Sequence, residues 1–384
     1  MESKDQNRVY LPGLNALRFF AAFLVIIAHV ELIKGHIGYV CNIELVEKFN
    51  PGGLGVYFFF VLSGFLITFL LIHEKDKTGS INIKAFYIRR LLRIWPLYYL
   101  ITFLAFFILP NIEFLHVTWL QQFFEDNYSF KLLFFILMLP NLALAMFSAV
   151  PQAGHLWSIG VEEQFYLFWP LLFKKIKKIK NLLISVLVFT IGLKILVIAL
   201  LKFGIVDLSD NFMVFKEFLA MSKFECMAIG GFGAYWVKKD VKSVLNIIYH
   251  PISFITSLAL LPVMNYLCPE SLQDAIHLPY SIAFIILILN ISCNSKSIIT
   301  LENSVFNFLG KISYGIYMYH MIVVVFVIRL ASKFTDEGSL MANVFIYGFS
   351  VMLTIFIAWL SYEYFEKRFL KLKDKYTIVR SGKI

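Results

Sequence analysis

The chain has 384 residues, of which 59% are hydrophobic, 17% aromatic and only 16% charged, and its mean hydropathy is +0.75. Soluble domains carry roughly 25% charged residues, so a water-soluble enzyme is excluded and lipid is the expected solvent for most of the chain. The net charge of +10, from 35 Lys+Arg against 25 Asp+Glu, does not indicate nucleic acid, because the basic residues cluster in short loops between apolar runs, where they fix orientation against a membrane.

In chain order the apolar runs fall at 14–33, 52–72, 94–109, 130–149, 156–173, 181–201, 218–237, 252–267, 276–293, 312–330 and 341–361. Runs of about 20 residues suit membrane helices. The first is followed by Lys34-Gly35-His36 and not by a small-residue cleavage site, which predicts a retained signal-anchor. Loops 73–93 and 174–180 are strongly basic and are therefore expected on the cytoplasmic side. Two cytoplasmic loops are separated by an even number of crossings, yet three apolar runs lie between these two. The run at 130–149 is interrupted by Pro140-Asn141 and preceded by Glu113, Glu125 and Asp126, so it is expected to be re-entrant or surface-lying, a conformation tolerated where protein or a wet cavity covers the backbone. The predicted fold is all-α: a polytopic transmembrane helical bundle with ten crossings, one re-entrant or surface-lying segment, and cytoplasmic N- and C-termini. A single membrane domain over 1–370 and a basic tail over 371–384 are expected. Loop 238–251 falls inside and loop 268–275 outside.

Ionisable residues within spans are functional candidates by default. The first span holds Arg18 and His29. They are eleven residues apart, three turns plus about 20°, and so share one face with an axial separation of roughly 16 Å. Arg18 is expected near the cytoplasmic surface and His29 toward the outer leaflet. The fifth crossing carries Glu162 and Glu163, which point about 100° apart, so at most one is expected to face His29. A carboxylate there would hold the imidazole's tautomer and raise its basicity; an ion pair with a buried Arg or Lys is the structural alternative. Arg89, Arg90 and Arg93 sit at the cytoplasmic mouth of the third crossing, where forked guanidinium groups suit a phosphate ligand and where orientation alone also places positive charge. In the second span Gly52, Gly53, Gly55, Ser63 and Gly64 allow close helix approach, and Ser63 is also a candidate donor to a ligand carbonyl. His320 lies at mid-depth in the ninth crossing, suited either to an interhelical hydrogen bond or to substrate. Cys41, Cys226, Cys268 and Cys293 lack CxxC spacing, so neither a metal nor a redox site is expected; Cys41 and Cys268, both on the outer side, are either paired or free.

Six motifs occur in order over nearly the whole chain: Leu17-Arg18 through His29, Phe59-Phe60-Val61-Leu62-Ser63-Gly64-Phe65, Arg89-Arg90-Leu91-Leu92-Arg93, Trp157-Ser158 through Glu162-Glu163-Gln164-Phe165-Tyr166, Ser313-Tyr314 through His320, and Ser361-Tyr362 through Glu366-Lys367. Together they resemble the acyltransferase 3 family of integral membrane O-acyltransferases. The resemblance implies a ten-helix enzyme of the cell (inner) membrane that moves an acyl group, commonly acetyl, from cytoplasmic acetyl-CoA (acyl-CoA) to a carbohydrate hydroxyl on the other side. It implies that Arg18 and His29 are the essential pair and that Arg89, Arg90 and Arg93 serve the donor side. Two departures stand out, Gly160 where Ser or Ala is usual and Arg368 where Pro is common. No fused SGNH-hydrolase-like domain is expected.

The resulting scheme has His29 as base with Glu162 or Glu163 orienting it. Arg18, Arg89, Arg90, Arg93 and Ser63 bind the donor, and Trp157, Tyr317 and His320 bind the acceptor. Donor phosphates and chemistry occupy opposite ends of one channel, Ser63 or Tyr317 stabilises the oxyanion, and an acyl-His intermediate is the competing route. The expected partners are a carbohydrate acceptor, acyl-CoA and membrane lipid, with no nucleic acid and no metal. Two other classes compete: a transporter or flippase of lipid-linked sugars, which makes no bond, and a structural subunit whose buried His and Glu only lock helices.

Overall fold

The computed structural model describes residues 8–206, 209–376 and 380–381; most of the tail beyond Tyr376 lies outside the described residues. Among the described residues, regular structure is helical apart from a two-residue parallel pairing of Arg8–Val9 with Arg380–Ser381. Six helical stretches are long and apolar enough to cross a membrane: Leu14–Ile37, Val46–Thr78, Ile83–Asn111, Ile179–Lys202, Ser313–Ala331 and Leu340–Asp374. A multi-pass membrane protein follows from these alone.

The expectation of ten crossings asks for four more, and each falls short for a local reason. Trp157–Lys175 is 19 residues long but carries Glu162, Glu163, Lys174 and Lys175. Phe224–Lys238 has 15 residues, about 22 Å against a hydrocarbon layer of about 30 Å. Lys242–Ile248 and Pro251–Leu260 are bent by 57° at their break, where Pro251 starts a new helix. His277–Cys293 has 17 residues. The apolar run at 130–149 is split into Tyr128–Ile136 and Pro140–Met146, of 9 and 7 residues, with Met138 between them at φ 60°. Neither piece reaches across a bilayer.

Pro51–Thr78 is the central helix, packed on Leu14–Ile37, Phe224–Lys238 and His277–Cys293. Its start is locally encoded: Asn50 caps it by accepting from Gly53 N at 2.9 Å, and Pro51 occupies the first turn, where no N–H is needed. Burying apolar side chains gives no net drive between helices in lipid, so close approach through small residues supplies the contact. A Cβ on Gly64 would lie 1.9 Å from Met227 O, and one on Gly230 would lie 2.0 Å from Val61 O, so the two backbones touch directly. Gly55 makes the same approach to Leu14–Ile37, where a Cβ would lie 2.4 Å from Ala21 O. Gly64→Val therefore forces the helices apart and costs about 1–3 kcal/mol or more, read as a fall in Tm and in folded yield. Gly192 faces open space, and Gly192→Ala is expected to leave both unchanged or slightly raised.

The split segment docks on Trp157–Lys175. The side-chain amides of Asn141 and Gln164 exchange hydrogen bonds of 3.3 and 2.8 Å. At the contact a Cβ on Gly160 would lie 2.7 Å from Pro140 Cδ, so the glycine at this position makes room for the proline ring.

Candidate functional site

Two cavities lie along the Leu14–Ile37 helix, called inner for the one at the Arg18 end of that helix and outer for the one at the His29 end. The inner one, of about 400 Å3, is lined by Arg18, Arg90, Arg93, Lys311 and Lys373, with Glu162 and Glu366 as its carboxylates. The outer one, of about 390 Å3, is lined by His29, His155, Tyr57, Trp157, Tyr317 and Lys223 among others. Arg18 and His29 thus open to different cavities. The two share Val56 and Tyr317 in their walls, so a partition stands where one continuous channel was expected.

At the inner cavity the basic cluster divides. Arg90 and Arg93 line it, Arg90 with its guanidinium 5.4 Å from the centroid of the Tyr166 ring. Arg18 donates to Asn15 Oδ1 at 3.2 Å. None of these three makes an ion pair with a carboxylate of the described residues. Arg89 is engaged elsewhere: it pairs with Glu74 at 3.1 Å and donates to Tyr376 O at 2.9 Å. Spacing alone does not divide the cluster, since Arg93 lies about 60° from Arg90 and about 40° from Arg89 around the helix; Arg89 is drawn away by its pairing with Glu74. Among the described residues five cations and two carboxylates line this cavity, so its wall carries an excess of positive charge. Lys311 and Lys373 were not singled out by the sequence, and Glu366 entered only as part of the sixth motif. Glu366 is carried inward by a π-helical turn, Tyr362–Glu366, and accepts from Ser361 Oγ at 3.2 Å.

Ser63 and Glu162 also line the inner cavity and are bonded to each other. Ser63 donates to Glu162 Oε1 at 2.8 Å, while the Tyr166 hydroxyl lies 2.9 Å from Ser63 Oγ and 2.7 Å from Glu162 Oε2. Glu163 accepts from Trp95 Nε1 at 3.0 Å. Neither carboxylate hydrogen-bonds His29, against the expectation that one would orient it. The cause is depth. His155 stands at the outer end of the Trp157–Lys175 helix beside the other imidazoles, and Glu162 is seven residues further along, about 10 Å deeper.

What meets His29 is a second histidine. His29 Nδ1 is 3.0 Å from Val25 O and 3.1 Å from His320 Nε2. His320 Nδ1 is 2.6 Å from Tyr317 O. A carbonyl oxygen only accepts, so both Nδ1 atoms carry hydrogen. Neutral His320 then presents a bare Nε2 that accepts from His29, and His29 is left with its own Nε2 unprotonated and without a partner among the described residues. His29 is half-buried and lines the outer cavity, whereas His320 is fully buried behind it. His155 completes the cluster, its ring centroid 4.7 Å from that of His320. Its position one turn ahead of the helix, two residues before Trp157, was the only sequence signal for it.

Trp157 and Tyr317 line the outer cavity. The Tyr317 hydroxyl donates to His155 O at 2.9 Å and lies 2.7 Å from Ser158 Oγ. Across the cavity, Lys223 Nζ is 3.4 Å from His277 Nδ1, and His277 Nε2 is 2.6 Å from Glu225 Oε1. All four cysteines are free thiols. Among the described residues, no group of His, Cys, Asp or Glu side chains is arranged to hold a metal ion.

A family model described as an acyltransferase domain matches residues 11–363. A candidate O-acetyltransferase of Staphylococcus aureus (strain COL) is 29% identical over 391 residues, covering 96% of this chain and 59% of the relative. The O-acetyltransferase OatA of Staphylococcus aureus (strain NCTC 8325 / PS 47) is 28% identical over 398 residues, covering 95% of this chain and 59% of the relative. The chain thus spans less than two thirds of the length of the curated relatives it matches. No solved structure matches it.

Proposed function

The chain belongs to the acyltransferase 3 family, and from that membership we propose that it is a membrane O-acyltransferase moving an acetyl group from cytoplasmic acetyl-CoA to a hydroxyl of an extracytoplasmic or lipid-linked carbohydrate. The observation that carries this reading is the pairing on one helix of a cation-lined inner cavity at Arg18 with an outer cavity at His29, whose Nε2 is bare. In this reading the chain crosses the inner cell membrane ten times, with both termini in the cytoplasm and the broken 130–149 segment on the outer side.

The excess of Arg18, Arg90, Arg93, Lys311 and Lys373 over Glu162 and Glu366 suits the phosphates of the donor. The acceptor lies in the outer cavity against Trp157 and Tyr57, whose faces suit a sugar ring. His29 Nε2 takes the proton from the acceptor hydroxyl as its oxygen attacks the thioester carbonyl carbon. The carbon–sulfur bond then breaks, and the proton held on His29 leaves with the thiolate as free thiol, which restores the base. For the thioester to reach His29 the Val56–Tyr317 wall must part, so Tyr317 acts first as a partition. Its hydroxyl, which donates to His155 O at rest, serves the developing oxyanion by turning from that carbonyl, whereas Ser63 is bonded to Glu162 and lies on the inner side.

The test is transfer of label from acetyl-CoA to carbohydrate hydroxyls by membranes containing the protein. Labelled ester, with free thiol released in equal amount, is the expected result. Movement of a lipid-linked sugar across the membrane with no thiol release would overturn the reading in favour of a transporter.

A further inference from the structure

We infer that His320 is the positioning residue for the base: an imidazole that, beside Val25 O, accepts from the His29 Nδ1–H, orients the ring and shares the charge when Nε2 is protonated. The inference rests on the proposed acyl transfer by His29 and adds to it the group that makes that ring a base, a role the carboxylates Glu162 and Glu163 do not fill.

The argument starts from what surrounds His29. A histidine general base needs its outward nitrogen bare, and the bond made by its other nitrogen decides this. On its own helix that bond is to Val25 O, which also lies where the helix backbone takes its i to i−4 hydrogen bond, so this carbonyl is shared. From the Ser313–Ala331 helix comes His320 Nε2 at 3.1 Å. His320 is itself held, because its Nδ1–H donates to Tyr317 O at 2.6 Å one turn back on the same helix. Its ring is enclosed by His155 and Tyr317, with centroids 4.7 and 5.6 Å away. The side chain is fully buried and does not line the outer cavity, so it touches His29 and not the acceptor.

The chain of donors runs in one direction, from His29 Nδ1–H to His320 Nε2 and from His320 Nδ1–H to Tyr317 O. When His29 Nε2 gains the acceptor's proton, the imidazolium's Nδ1–H bond to His320 becomes charge-assisted and stronger. No atom needs to move. The stabilisation appears only as charge develops, so it acts on kcat and not on binding. Placing a neutral imidazole here also avoids an ion pair at membrane depth, which a carboxylate would create with every turnover.

Two variants separate this role from the others open to a buried histidine. In His320→Gln the amide oxygen reaches the former Nε2 position and still accepts from His29; His320→Leu fills the space and removes the acceptor. Both are compared with wild type as purified protein in lipid nanodiscs, at equal folded amount, by steady-state acetyl transfer to a carbohydrate acceptor. The expected result is a 10–100-fold fall in kcat for His320→Leu with KM for both substrates within about twofold, and recovery of most of that loss in His320→Gln. In 15N spectra of the histidine rings, His29 should carry hydrogen on Nδ1 in all three proteins, held by Val25 O, with that proton deshielded in wild type and His320→Gln and less so in His320→Leu. A rise in acceptor KM with kcat unchanged would assign His320 to substrate binding and overturn the inference, as would a loss of Tm in His320→Leu with kcat per folded molecule intact. Failure of the underlying reading is distinguishable, since it appears as full activity in a His29 variant.

Discussion

His29→Ala lowers acetyl transfer by about 10²–10⁴-fold at equal membrane abundance, the contribution typical of a general base. The loss is in kcat, because the ring binds nothing in the inner cavity and meets the donor only at the reacting carbon. Abundance and Tm change little: the side chain is half-buried, and its two hydrogen-bond acceptors, Val25 O and His320 Nε2, are left beside a cavity that water can enter. His29→Gln separates the two chemical routes. If transfer passes through an acyl-imidazole, the wild-type protein incubated with labelled acetyl-CoA and no acceptor acquires label, and His29→Gln does not. If the acceptor oxygen attacks directly, neither protein is labelled and both are compared by turnover alone. Retained transfer in His29→Ala at equal abundance would remove His29 from the chemistry.

Replacing the cavity-facing arginines has the second-largest effect, and it falls on the donor. Arg18→Ala and Arg90→Ala each remove a guanidinium from the wall of the inner cavity. A hydrogen bond to a charged group contributes about 1.5–3 kcal/mol, so each is expected to raise KM for acetyl-CoA about 10–100-fold with a smaller effect on the acceptor. Arg89→Ala behaves differently although its neighbour in sequence is Arg90. Its partner Glu74 is 3% exposed and also accepts from Asn82 N at 2.8 Å, so losing Arg89 leaves a buried carboxylate short of a partner at about 1–3 kcal/mol. The readout is a lower Tm with donor KM close to wild type. Equal rises in donor KM across Arg18→Ala, Arg89→Ala and Arg90→Ala would mean that the cluster acts as one field, and that the cavity does not select among its members.

In the proposed reaction, the two cavities bear on how a nucleotide-bearing donor and an outward-facing acceptor would meet. A continuous wet tunnel between them would carry protons and ions across the bilayer. Val56 and Tyr317 stand in both walls and Phe59 packs edge-on to the Tyr317 ring with centroids 5.9 Å apart, so these side chains stand between the two cavities. The hydrogen-bonded group of Ser63, Glu162 and Tyr166 lines the inner cavity.

The sequence by itself determined that the chain is helical, that Arg18 and His29 lie on one helix about three turns apart, and that the six motifs belong to one acyltransferase family. These properties are local or composition-bound: hydrophobic length, the 100° step of the helix and the identity of residues at fixed spacing. The number of crossings was less legible, because Phe224–Lys238 and His277–Cys293 are short and the Trp157–Lys175 helix carries charge, so length and hydropathy cannot count them. Partnership between helices was decided only by the tertiary structure. Periodicity fixes where Glu162 and Glu163 point but not the depth at which their helix starts relative to its neighbours, and that depth sets Glu162 beside Ser63 and leaves His29 to His320. It likewise separates Arg89 from Arg90 and closes the wall at Tyr317. Helix settles against helix where a side chain is absent, at Gly55, Gly64 and Gly230 in the central packing and at Gly160, against Pro140, on the helix that carries Glu162, and that fit is a property of two surfaces together.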